Sequence, residues 1–215
     1  MGAIPGNRGG VLLDRDGTLV RDSGYLTLLE QIEVLPRVPE ALRLFKQHGL
    51  AVAVITNQSA VARGLLSERD LSEIHREIER RLAAAGAFLD AIYYCPHHPT
   101  EGQAPYRRVC ACRKPATGLA VRAAVDLKLD LGHSYVVGDQ WTDMELACRI
   151  GAQGILISDR AVVGAVREPP LPRFRRRDLR PKTEDGPPVL GPPSSVFVAS
   201  DLWEAARWII GDLGA

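Results

Sequence analysis

The sequence predicts an α/β fold: a three-layer sandwich on a mainly parallel central sheet, with no large cap domain. Three observations carry that prediction. Short apolar runs rich in Val, Ile and Leu alternate along the chain with longer segments of helical spacing. The runs are continuous, as expected of strands buried on both faces. Polar or acidic residues follow several of them, where open α/β sheets present their ligands.

The elements follow in chain order. "GGVLLD" (9–14) is the first strand, and a helix is expected near 38–48. "LAVAVIT" (50–56) is the second strand, followed by a helix over about 67–86. In that helix Leu71, Ile74, Ile78 and Leu82 recur at helical spacing and are core candidates, while Ser67 and Asp70 form a capping box at its start. "AIYYC" (91–95), a helix near 117–129, "SYVVGD" (134–139), a helix from 142 and "GILIS" (154–158) continue the alternation. A late strand and helix begin at Ser195. Residues 159–194 break this rhythm: they are rich in proline and carry a basic cluster of Arg167, Arg173, Arg175, Arg176, Arg177, Arg180 and Lys182. That composition suits a solvated surface insertion, with an anion-binding flap or docking site as the functional alternative.

A chain of 215 residues suits one domain over 1–215, able to bury about 70% of its unfolded surface. Its longest uncharged apolar runs, such as 50–55, fall far short of the roughly 20 residues a membrane helix needs, so a soluble protein without a membrane partner is expected. The start "MGAIPGNRGG" has neither the apolar core of a secretory signal nor a transit-peptide pattern, which points to the cytoplasm. A formal charge of +1 provides no strong field for nucleic acid. Short interior loops and the lack of an apolar stripe favour a monomer.

Asp14 and Asp16 stand two residues apart after the first strand, with Gly17 permitting a tight turn and Thr18 offering a hydroxyl. Asp139 ends a later strand, and Asp143 follows four residues on. As strand-end residues these acids can converge on one crevice, where hard carboxylate oxygens suit Mg²⁺. A phosphate approaching two carboxylates meets repulsion of about 4 kcal/mol per pair of unit charges at 4 Å and an effective dielectric of 20. A divalent cation and Lys114, in "CACRKP", would offset it.

In order, Asp14-Arg15-Asp16-Gly17-Thr18, Thr56-Asn57, Lys114, and Gly138-Asp139 with Asp143 resemble the four motifs of the haloacid dehalogenase (HAD) superfamily of phosphohydrolases. More narrowly, "LDRDGTL", "TNQSAVARG", "YYCPHHP" followed by ten residues and "CACRKP", and "VVGD" resemble the D-glycero-D-manno-heptose 1,7-bisphosphate 7-phosphatases over residues 11 to about 158. The related histidinol-phosphate phosphatases share the nucleophile motif and the cysteine cluster but have a shorter stretch between the metal-binding halves. The resemblance implies a small phosphorylated sugar as substrate, with histidinol phosphate as the alternative.

It also implies roles. Asp14 is the expected nucleophile, forming an aspartyl-phosphate, and Asp16 the expected general acid and base. Mg²⁺ would be held by the carboxylates of Asp14 and Asp139 and the backbone carbonyl of Asp16. Thr56, Asn57 and Lys114 would bind the phosphate, and Arg113 a further anionic group. Asp143 is expected to orient a metal-bound water or Lys114, or to cap its helix. Arg63 is a weaker substrate candidate.

Cys95-x-His97 and Cys110-x-Cys112 form a Cys₃His donor set, which fits a closed, structural zinc site in the loop 95–112. On spacing alone His98 is as available as His97; the family pattern favours His97. Zinc is expected to position Arg113 and Lys114. Cys148 is expected to pack on an apolar helix, and His48, His75 and His133 to be surface or structural residues. Gln140 and Trp141 depart from the family, which often has a lysine and a small or aliphatic residue there; Ala116 and Thr117 carry no specificity signal.

Overall fold

Alternate residues of each apolar run face opposite sides of one sheet. In the computed structural model, which describes residues 9–158 and 196–214, six parallel strands form: β1 (Gly10–Leu13), β2 (Ala51–Asn57), β3 (Ala91–Cys95), β4 (Tyr135–Gly138), β5 (Gln153–Ile157) and β6 (Phe197–Ala199). Val11, Leu13, Val52, Val54, Tyr135 and Val137 point into one apolar layer. Leu12, Ala51, Ala53, Ile55 and Val136 point into the other. This period of two with both faces apolar is why the runs read as continuous.

Helices cover both faces. On the first lie α1 (Val38–Gln47), α2 (Glu68–Ala84) and α5 (Leu202–Leu213), through Leu42, Phe45, Ile74, Ile78, Leu82 and Ile209. On the second lie α3 (Gly118–Leu127) and α4 (Trp141–Ile150), through Leu119, Ala123, Leu146 and Ile150. The expected three-layer sandwich is present, and each element lies within a few residues of its expected span. The capping box of α2 forms: the Ser67 hydroxyl accepts the Asp70 N–H at 3.2 Å, and Asp70 accepts the Ser67 N–H at 2.9 Å. Such a cap contributes about 1 kcal/mol.

The strand order is β3-β2-β1-β4-β5-β6. The chain moves outward from β1 to β3, then returns to the other side of β1. Between β1 and α1 the described chain is a short bridged loop rather than a cap domain: Val20 pairs with Val34, and Arg21 holds Glu33 at 2.6 and 2.7 Å. Its Leu19, Leu26 and Ile32 are buried, while Tyr25 and Leu28 stay exposed. Among the described residues no helix is long and apolar enough to cross a membrane. The basic segment expected as an insertion over 159–194 lies outside the described residues.

Candidate active site

The carboxyl ends of β1 and β4 lie side by side where the strand order reverses, the place where open α/β sheets leave a ligand crevice. Asp14 follows β1 directly and is still held by the ladder, its N–H donating to the Val137 carbonyl at 2.9 Å. The chain then turns at Gly17, whose φ is +70° and where a Cβ would lie 2.4 Å from Asp139 Oδ2. Glycine alone permits both that backbone and that approach. Beside it, a Cβ on Gly138 would lie 2.2 Å from Asp143 Oδ2. The "GD" at the end of β4 therefore makes room for a carboxylate delivered by α4.

Lys114 sits at the centre of this group. Its ammonium lies 2.9 Å from Asp14 Oδ1 and 2.7 Å from Asp143 Oδ1, and its side chain is 1% exposed. Asn57, at the end of β2, clamps the lysine backbone: it accepts the Lys114 N–H at 2.9 Å and donates to the Lys114 carbonyl at 3.1 Å. Burial by itself pushes the Lys114 pKa down, but Asp14 and Asp143 outweigh it and the pKa is raised. Burial pushes Asp143 up to about 6, opposed by Lys114. Asp143 also accepts the Gln140 N–H at 3.2 Å, so both expected uses, helix cap and partner of Lys114, are realised by one carboxylate.

The carboxylate oxygens of Asp14, Asp139 and Asp143 lie within 4.8 Å of one another. Of the three, Asp14 and Asp143 pair with the Lys114 ammonium and Asp139 does not share in it. Burial first, and then the charge of Asp14, raises the Asp139 pKa, although a hydrogen bond from Gln140 works against the shift. Oxygen donors in this number, with charge left to balance, fit a hard divalent cation.

Asp16 is held apart from that group. Its carboxylate receives Arg15 Nε at 3.1 Å and Arg15 Nη2 at 2.9 and 3.0 Å, and Gln58 Nε2 at 2.9 Å. Gln58 also donates to the Thr56 hydroxyl at 2.9 Å, which places Thr56 beside the same crevice. Arg113 turns back on the cysteine loop, donating to the His97 carbonyl at 3.1 Å. Arg63 pairs with Glu101 of that loop and lies over the Tyr25 ring at 5.5 Å.

Cys95, His97, Cys110 and Cys112 come together. Cys112 Sγ lies 3.1 Å from Cys95 Sγ, 3.3 Å from Cys110 Sγ and 3.2 Å from His97 Nδ1. A tetrahedral Zn²⁺ with Zn–S near 2.3 Å has S···S edges of about 3.8 Å, so the donors are spaced closely enough to share one ion. Burial, then the Cys112 thiol, raises the Cys95 pKa, so holding these sulfurs as thiolates would require a cation between them. His98 turns the other way and accepts the Glu101 N–H at 2.9 Å. The loop is seated on α2 through Glu68, which accepts the hydroxyls of both Tyr94 and Tyr106 at 2.7 Å.

Of the remaining cysteine and histidines, His48 and His133 are exposed and Cys148 is half-buried. His75 is buried at 7% exposure, and its Nε2 lies 3.3 Å from Arg15 Nη1. Its involvement was legible only as a position on the apolar stripe of α2, next to Ile74 and four residues after Leu71. Burial, then the Arg15 charge, lowers its pKa to about 3. The unfolded chain takes up this proton near pH 6.5 and the folded chain does not, so stability falls as pH drops from 6.5 towards 3. Between pH 7 and pH 4 the native protein should therefore lose ~3 kcal/mol more unfolding free energy than His75→Gln. Denaturant titrations at the two pH values measure it.

Known proteins resemble this chain in sequence and in fold. A HAD-hydrolase-like family model matches residues 111–162. The D-glycero-β-D-manno-heptose-1,7-bisphosphate 7-phosphatase of Yersinia pestis is 37% identical over 154 residues, 71% of this chain and 82% of that protein. The enzyme of the same name from Escherichia coli K12 is 41% identical over 137 residues, 64% of this chain and 72% of that one. Among solved structures, the D,D-heptose 1,7-bisphosphate phosphatase of B. bronchiseptica, complexed with magnesium and phosphate, superposes with a TM-score of 0.73 at 28% identity, covering 95% of this chain and 99% of that one. With these likenesses added to a parallel sheet whose switch point gathers Asp14, Lys114, Asp139 and Asp143, the chain belongs to the HAD-like phosphatases, in the family of the D-glycero-β-D-manno-heptose-1,7-bisphosphate 7-phosphatases.

Proposed function

We propose that this phosphatase removes the 7-phosphate of D-glycero-D-manno-heptose 1,7-bisphosphate, preferring the β anomer for which its relatives are named, through an aspartyl-phosphate on Asp14. The observation that carries the reading is the Lys114 ammonium, buried between Asp14 at 2.9 Å and Asp143 at 2.7 Å, beside Asp139. A structural core has no use for this arrangement, whereas an anionic phosphoryl group does.

In the first half-reaction an Asp14 carboxylate oxygen attacks phosphorus, the P–O bond to the sugar breaks, and Asp16 gives its proton to the departing sugar oxygen. In the second, water attacks the aspartyl-phosphate, Asp16 takes the water proton, and the bond from phosphorus to Asp14 breaks to release inorganic phosphate. Lys114 offsets charge on the transferring group, and Thr56 and Asn57 line its path from β2. Arg113 binds a second anionic part of the substrate. The carboxylates of Asp14 and Asp139 and the backbone carbonyl of Asp16 would hold Mg²⁺, which would supply charge neutralisation for the transferring group. Asp143 fixes Lys114. Cys95, His97, Cys110 and Cys112 would hold Zn²⁺ in a structural role, since four protein donors would leave it no position for substrate. The chain acts as one cytoplasmic enzyme domain over 1–215 and works as a monomer.

The test is phosphate release, with and without Mg²⁺, from both anomers of the heptose bisphosphate and from histidinol phosphate. Turnover of the β-heptose substrate at least tenfold faster than the others supports the proposal. Preference for histidinol phosphate would replace it with the related amino-alcohol phosphatase activity.

A further inference from the structure

Among the described residues Arg15 is the largest side chain that is almost wholly buried, and it lies between Asp14 and Asp16 in sequence. A buried guanidinium is unfavourable unless its N–H groups are paired, and an apolar side chain would fill the same space without that demand. Here the pairing is directed at one target. Nε and Nη2 make three contacts of 2.9 to 3.1 Å with both oxygens of Asp16, whose side chain is 26% exposed towards the crevice. The last corner of the fork, Nη1, meets His75 Nε2 at 3.3 Å. Arginine has no acceptor, so Nε2 must be the accepting nitrogen and His75 must carry its proton on Nδ1. From the opposite side Gln58 donates to Asp16 Oδ2 at 2.9 Å while its other contact, to Thr56 Oγ1, fixes the amide in place.

Asp14 and Asp16 are thus given different partners. Asp14 is paired with the ammonium of Lys114, and Asp16 with a rigid planar fork braced from behind by a helix. Lysine could neutralise Asp16 but could not hold both oxygens in one plane. From this we infer that Arg15 and Gln58 are positioning residues that set the orientation of the Asp16 carboxylate for proton transfer, with His75 bracing Arg15; the inference rests on the acid–base role proposed above for Asp16.

A positioning role separates from a merely structural one by leaving group. Departure of a sugar oxygen needs the proton from Asp16, whereas p-nitrophenolate leaves as a stable anion. kcat/KM, which reports the steps up to leaving-group departure, is measured for heptose 1,7-bisphosphate and for p-nitrophenyl phosphate in the zinc- and magnesium-replete wild type, Asp16→Asn, Arg15→Met, Arg15→Lys and Gln58→Leu. Arg15→Met is expected to lose on the order of 10²-fold on the sugar phosphate, the scale of a displaced catalytic group, and only about threefold on the aryl phosphate. Arg15→Lys, which keeps the buried charge and loses the fork, carries the same test if Arg15→Met does not fold. Combining the Arg15 change with Asp16→Asn should add less than about twofold to the loss of Asp16→Asn alone, because both act through one carboxylate.

Equal losses on the two substrates, or additive losses in the double variant, would overturn the inference and leave Arg15 a structural residue. If Asp16→Asn itself shows no leaving-group selectivity, the acid–base reading of Asp16 fails first and takes the inference with it. Selectivity in Asp16→Asn without selectivity in the Arg15 and Gln58 variants sinks the inference alone.

Discussion

Asp14→Asn is expected to reduce turnover by on the order of 10⁴-fold or more, the scale seen when a covalent nucleophile is removed. The asparagine is nearly isosteric and keeps an oxygen able to accept the Arg15 N–H, which Asp14 Oδ1 accepts at 2.7 Å. The fold should therefore persist. Lys114 would keep Asp143 at 2.7 Å, so its charge is not left unpaired in the interior. Phosphate release quantifies the loss, thermal unfolding checks the fold, and rapid-quench mass spectrometry should find a phosphoryl adduct on the wild type and none on the variant. Turnover within tenfold of wild type would exclude Asp14 as the nucleophile.

Removing zinc is expected to have the largest effect on stability. A structural Zn²⁺ site contributes on the order of 10 to 16 kcal/mol of binding free energy, which is present only in the folded, metal-loaded protein. Losing even ~5 kcal/mol of that contribution corresponds to a Tm lower by ~10–20 °C at about 2–4 °C per kcal/mol. Cys112→Ser, which removes the sulfur in contact with Cys95, Cys110 and His97, should show this fall together with loss of bound zinc. Activity should fall as well. Lys114 is two residues beyond Cys112, and Arg113 is tied to the His97 carbonyl at 3.1 Å. A zinc-free protein with unchanged kinetics would break the link between the metal clip and the site.

The loop does not depend on metal alone. Glu68 draws Tyr94 and Tyr106 together, and its pKa is lowered, first by those two hydroxyl hydrogen bonds. Ala60, Val61, Leu66 and Leu71 form a small apolar cluster on which both tyrosines pack. Partial order should therefore survive in the metal-free protein, localised near α2.

The sheet, the covering helices and most of the polar residues gathered at the crevice were legible along the chain. The reason is that a strand buried on both faces and an amphipathic helix leave local periodic signatures, and that Asp-x-Asp, Cys-x-His and Cys-x-Cys place donors within a few residues of one another. Tertiary structure decided what depends on reach between distant segments. His97 and His98 are neighbours, either of them near enough to Cys95 to serve, but one turns to the cysteines and the other to the Glu101 N–H. Asn57 reads as a phosphate ligand at a strand end, while the fold also uses its amide to clamp Lys114, 57 residues away. Arg15 reads as a spacer between two aspartates and His75 as one more helical position, yet the fold joins them across 60 residues behind Asp16. Such contacts have no local period to betray them; they exist only once the sheet and α2 fix both ends, and they are where the fold sets different surroundings for the two aspartates of one motif.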